Sequence, residues 1–138
     1  MIIKTLKKRR HFLKAAQSKK RRVKPAFIVQ LDEDWDSLAD KVRPPDGQQI
    51  VHVGYTASRK VGGAVQRNRA KRRMRAMIRT VLPEFDLDRA VIVLIARRFM
   101  IGYNFQTALN DLREALEQMG LSRSEISHKK REDVADAS

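Results

Sequence analysis

Val53-Gly54-Tyr55-Thr56-Ala57-Ser58-Arg59-Lys60-Val61-Gly62-Gly63-Ala64-Val65-Gln66-Arg67-Asn68-Arg69-Ala70-Lys71-Arg72 changes its periodicity midway. From Gln49 to Thr56 the chain alternates, with Val51, Val53 and Tyr55 on one face and Ile50, His52 and Thr56 on the other, as a strand does. Gly62-Gly63 marks a turn. A helix then starts at Ala64 or Arg67 and runs to Leu82, where Pro83 stops it. Ala70, Met74, Met77, Ile78 and Val81 recur along it at the spacing of one helical face.

The flanks supply the remaining elements. Downstream, Ala90-Val91-Ile92-Val93-Leu94-Ile95-Ala96 is a near-continuous apolar run, which fits a central strand buried on both faces. Asn104 is an N-cap candidate for a last helix over residues 105–119. That helix lines up Phe105, Ala108, Leu109, Leu112, Leu116 and Met119, with Gly120 as its C-cap. Upstream, residues 26–31 are rich in β-formers and read as a strand that forms a widely spaced antiparallel hairpin with 49–56. Phe12, Leu13 and Ala16 place a short helix over residues 9–18, and Pro25 keeps it from continuing. Phe27 and Phe99 are expected in the core. The order helix, strand, strand, helix, strand, helix makes an α+β domain, with helices packed on one face of a small sheet. A single domain over residues 1–120 is expected. Within it lies an acidic loop insertion, 32–48, with room for a helical turn at 35–42 and Trp35 as a local anchor. The polar tail 121–138 is expected to be disordered.

The charge needs a reason. The chain carries 30 Lys and Arg against 16 Asp and Glu, a formal net charge of +14 over 138 residues. Such an excess repels itself in a compact fold. It is also segregated: residues 1–25 hold 11 basic residues and no acid, and residues 59–79 hold 9 and no acid. Separated signs point to an anionic partner. The absence of cysteine excludes disulfides and thiolate metal sites. No apolar run reaches the ~18 residues of a membrane span, and the N-terminus lacks a signal-peptide core. A soluble, cytoplasmic protein is expected.

Arg67, Lys71, Arg75 and Arg79 recur every fourth residue and form one stripe. Like charges at that spacing destabilise an isolated helix by roughly 0.2–0.5 kcal/mol per pair. Cations near a helix N-terminus oppose its macrodipole by a further ~0.3–1 kcal/mol each. A bound polyanion reverses the sign of both effects. A merely solvated face would mix its signs, and a membrane-inserting helix would offer Trp, Phe or Leu on its apolar side, where this one has Met and Ile. Arginine predominates, and its planar fork suits bidentate phosphate contact.

The strand-turn-helix stretch from Val53 to Arg72 resembles the signature of the bacterial ribonuclease P protein family. In that family, V-G-x-(S/T)-x-S-(K/R)-K-x-G runs into A-V-x-R-N-R-x-K-R. Val91–Arg97 resembles the family's last strand, and Leu6-Lys7-Lys8 with Phe12 its N-terminus. The resemblance implies an αβββαβα sandwich with a short extra strand near residues 21–24 and a left-handed βαβ crossover, against the usual hand. It implies that a catalytic RNA subunit cleaves precursor tRNA using Mg²⁺ while the protein binds and positions. By matching position, it implies RNA contacts from Arg59, Lys60, Arg67, Asn68, Arg69, Lys71, Arg72, Arg75 and Arg79. It also implies a cleft for the single-stranded 5′ leader, lined by Phe12, Ile28 and Gln30. Ala16 and Gln30 depart from the pattern, which often has an aromatic at both positions. Ala76 departs too, standing where Glu is frequent.

The residues offer no catalytic constellation of the protein's own. Ser58 belongs to a turn, His11 and His52 are isolated, and no carboxylates stand at ligand spacing, so neither a protein metal site nor a small-molecule cofactor is expected. The alternative is a ribosomal or RNA-assembly binding protein without a role in cleavage. A DNA-reading helix would call for a dimer to double the site, and no dimerisation heptad is present.

Overall fold

The computed structural model describes residues 1–18, 20–33, 49–87 and 89–124. Most of the acidic insertion, including Trp35 and the expected turn at 35–42, lies outside them. The elements in chain order are β1 (Ile2–Thr5), α1 (Arg9–Ala16), β2 (Lys20–Val23), β3 (Phe27–Asp32), β4 (Ile50–Ala57), α2 (Ala64–Val81), β5 (Phe85–Asp86), β6 (Ala90–Ala96), α3 (Phe105–Gln118) and β7 (Ser122–Arg123). The α+β class and the αβββαβα series hold, with β2 where the resemblance implies a strand. β1 adds a strand ahead of the series, and β5–β7 is a small separate ladder.

Five strands form one sheet in the order β1-β4-β6-β3-β2. The apolar run of residues 90–96 is its middle strand, parallel to β4 and antiparallel to β3. The hairpin expected between β3 and β4 is therefore absent, because β6 lies between them. Adjacency in sequence favours adjacent strands, but the connection from Asp32 to Ile50 is long enough to leave β4 free. The most apolar strand then takes the central position, flanked on its two edges by β3 and β4 and covered on both faces. α2 links the parallel neighbours β4 and β6, so its start is tied to the carboxyl end of β4.

Helices cover both faces of the sheet, not one. Phe27, Val29, Leu31, Val51, Val53, Ile92 and Leu94 point to the side of α2 and α3 and form the main core with Met74, Met77, Ile78, Leu112 and Leu116. The opposite side carries Ile50, Val91 and Val93, packed with Leu6 and with Phe12 and Ala15 of α1. α1 thus buries Ala15 and half-buries Phe12, while Leu13 and Ala16, which fit the same helical spacing, face outward. β1 was not legible, because a four-residue parallel edge strand, Ile2–Thr5, holds too little pattern.

Both long helices match their sequence patterns. Every predicted apolar residue of α2 is fully buried. The Asn104 side chain accepts from the Thr107 N–H at 2.9 Å and so caps α3. One expectation fails, and a second fails over its first four residues. Phe99 is 52% exposed, because Met100 of the same turn takes the core position instead. The tail begins as structure: Leu121 is buried, and Ser122–Arg123 pairs with Phe85–Asp86. There Glu84 holds the Arg113 guanidinium at 2.9 Å and that of Arg123 at 3.5 Å. Residues 125–138 lie outside the described set.

Candidate nucleic-acid interface

The motif begins with a turn that its own sequence shapes. The Lys60 N–H donates to Ser58 Oγ at 3.3 Å, and Val61 and Gly62 N–H groups close back on the Ser58 and Arg59 carbonyls at 3.0 and 3.1 Å. Gly62 has φ of +141°, a conformation L side chains rarely adopt, so this turn requires glycine. Arg59 and Lys60 stand exposed at its tip.

On α2, a spacing of four residues overshoots one turn by about 40° per step, so the basic stripe winds around the helix. Burial follows that drift: Arg67 and Lys71 are half-buried at the edge of the core, and Arg75 and Arg79 are exposed. Asn68, Arg69 and Arg72 lie on the exposed outer surface. Seven of the nine predicted RNA-contacting residues therefore stand exposed on the turn and the outer side of one helix, and Arg67 and Lys71 lie at the border between that side and the core. Arg73 is the exception among the basic residues of α2. It donates to the Tyr103 carbonyl and lies over the Phe105 ring at 5.5 Å, so it ties α2 to the start of α3.

None of the nine has a carboxylate partner among the described residues. Most of the described acids are engaged elsewhere: Asp32 with Lys14, Glu33 with Lys20, Glu114 with Lys24, and Glu84 and Glu117 with Arg123. Asp111 accepts from the Tyr103 hydroxyl at 2.7 Å, which pushes that phenol's pKa up. The Arg67 Nε is buried and makes no hydrogen bond within the described residues. An unmet buried donor costs ~1–3 kcal/mol, so this group gains most from an external acceptor. Arg75 rests over the Tyr55 ring at 5.4 Å. Burial pushes the Tyr55 phenol up to about 12, with Arg75 and Arg79 pulling the other way.

The second predicted surface lies across the sheet. Phe12 of α1 sits directly over Gly54: a Cβ there would come 2.4 Å from the ring edge, so the helix can approach β4 only at a glycine. Ile28 is half-exposed on the same face. Gln30 also lies on that face but is only 4% exposed, so it belongs to the floor rather than the open wall. Half-buried Thr56, Ile95 and Ile28 and exposed Val23 stand in one row across four strands of this face. Ile95 and Thr56 were missed in the sequence, where they read as ordinary strand residues. His11, at the other side of α1, has its pKa lowered by burial and then by Arg10, Lys8 and Lys14. Among the described residues no three His, Asp or Glu side chains cluster as a metal site would require, and no helix is long and apolar enough to cross a membrane.

Comparison with known proteins accords with this geometry. The family model for ribonuclease P matches residues 3–120. The ribonuclease P protein component of Gluconacetobacter diazotrophicus is 36% identical over 120 residues, covering 87% of this chain and 94% of that protein. The one from Ruegeria pomeroyi is 39% identical over 118 residues, covering 85% and 86%. Among solved structures, the RNase P protein from Thermotoga maritima superposes with a TM-score of 0.63 at 24% identity, over 83% of this chain and 96% of that one. The Staphylococcus aureus RNase P protein gives 0.63 at 20% identity, over 84% and 94%. None of these matches supports the ribosomal or assembly-factor alternative. A signature carried on a strand, a turn and a basic helix, a matching fold, and relatives that align along most of their length lead to one conclusion: the chain belongs to the ribonuclease P protein family.

Proposed function

We propose that the chain acts as the protein subunit of ribonuclease P in the removal of the 5′ leader from precursor tRNA in the cytoplasm. In this reading the exposed side of α2 and the Arg59-Lys60 turn meet phosphates of the catalytic RNA and of the precursor near the cleavage point. The face between α1 and the sheet holds the single-stranded leader through Phe12 and Ile28. The RNA subunit performs the cleavage and holds the Mg²⁺ that supports it. The protein's own contribution is electrostatic. Its fixed cations offset phosphate repulsion, so the assembled enzyme needs less Mg²⁺, and its cleft favours precursor over product.

The observation that carries this reading is the line of α2 cations without carboxylate partners among the described residues, on a helix whose other side is fully committed to the core. A charge-assisted hydrogen bond is worth ~1.5–3 kcal/mol. The double variant Arg67→Ala/Arg69→Ala, assembled with the RNA subunit, is therefore expected to cleave precursor on the order of 100-fold more slowly at low Mg²⁺, and raising Mg²⁺ should recover most of the rate. Unaltered cleavage at low Mg²⁺ would refute the reading.

A further inference from the structure

The turn after β6 holds out an aromatic ring that the core does not use. Phe99 is the one exposed aromatic among the described residues. The turn is anchored on both sides of it. The Arg97 N–H donates to the Ala26 carbonyl at 2.9 Å, and the Arg97 guanidinium donates to the Lys24 carbonyl at 2.8 Å. The Met100 N–H closes on the Arg97 carbonyl at 2.9 Å, and the Met100 side chain is fully buried. Phe99 thus lies between two tethered residues of the turn, Arg97 and Met100, and its ring stands exposed. The Arg98 guanidinium lies 4.9 Å from the centre of its ring. Neither Arg97 nor Arg98 has a carboxylate partner among the described residues.

The location gives this pair a purpose. Ala96 is the register partner of both Ala57 and Phe27, so the turn leaves the sheet at the same end as the Arg59-Lys60 turn. One register step inside that end lies the partly exposed row of Thr56, Ile95, Ile28 and Val23. A strand lying on that row and leaving at this end would pass the Arg97–Met100 turn. An aromatic face with a cation on it is what an unpaired nucleotide uses, one part for the base and the other for the phosphate. Among the described residues the cleft offers a single aromatic ring, Phe12, and that ring is already seated on Gly54.

We propose that Phe99, with Arg98 on its ring, is a stacking shelf for an unpaired base of the precursor's 5′ leader where the leader leaves the cleft. The proposal rests on the assignment of the cleft to the leader made above. Binding of precursor to the assembled enzyme is measured with a long single-stranded leader and with a single-nucleotide leader. Phe99→Ala should weaken the long-leader complex roughly tenfold and leave the short-leader complex unchanged, as loss of one stacked base would. Phe99→Trp should retain the affinity, and Phe99→Leu should lose it as Ala does, because a flat ring is needed rather than apolar bulk. Unchanged binding, equal loss with both leaders, or full retention by Phe99→Leu would each overturn the shelf. Phe12→Ala separates the two levels. If it weakens only the long-leader complex while Phe99→Ala does nothing, the cleft stands and the shelf falls. If neither variant depends on leader length, the leader assignment itself falls.

Discussion

Gly54 shows how one residue sets the geometry of a face. Its missing side chain lets the Phe12 ring lie against β4, and the ring in turn seats α1 on the sheet. Gly54→Ala would drive a methyl group into that ring and into Leu6, whose side chain lies 3.2 Å from the same point. Overpacking of this kind typically costs ~1–3 kcal/mol. The expected outcome is a lower melting temperature together with a reduced preference for precursor over mature tRNA. Unchanged stability and preference would mean that the ring moves aside freely and that its seat is unimportant. The sequence marks this glycine only as part of a motif. That a helix from the other end of the domain rests on it follows from packing.

At the scale of the element, α2 has two sides with opposite requirements. One is apolar and fully buried; the other gathers cations that repel one another. Arg72 and Arg79 are exposed, and neither pairs with a carboxylate among the described residues. Replacing both with Ala removes like-charge neighbours and introduces a better helix former. The melting temperature should therefore hold or rise slightly, while RNA affinity falls and its dependence on salt flattens. Each lost phosphate contact should reduce the slope of log affinity against log salt by ~0.7–0.9. A large loss of stability would mark these arginines as structural, and an unchanged slope would place RNA elsewhere. The winding of the stripe is read directly from its four-residue spacing, and so is the burial order from Arg67 to Arg79. Arg73 defeats that reading: it is as basic as its neighbours, yet Tyr103 and Phe105 claim it.

For the whole molecule, the closing contact is made late in the chain. Leu121 is buried, β7 pairs with β5, and Arg123 reaches Glu117 at 2.6 Å and lies over the Phe85 ring at 5.5 Å. Ending the chain after Gly120 would strip these away. Burial of a leucine alone is worth ~1.5–3 kcal/mol. The shortened protein should melt several degrees below one that ends after Ser124 and retains every one of these contacts. Equal melting temperatures would show that β5–β7 contributes nothing to stability.

The elements with long periodic patterns could be read from residue order alone: α2, α3, the β4 alternation and the apolar β6. So could the segregated charge and the family signature, because each of these is written in local order. Packing in three dimensions was needed to place β6 between β3 and β4, to set α1 on the face opposite α2, to cover Gln30, and to turn Phe99 to water while Met100 takes the core. Those outcomes depend on competition among segments far apart in sequence for a few buried positions, and no local pattern records who wins.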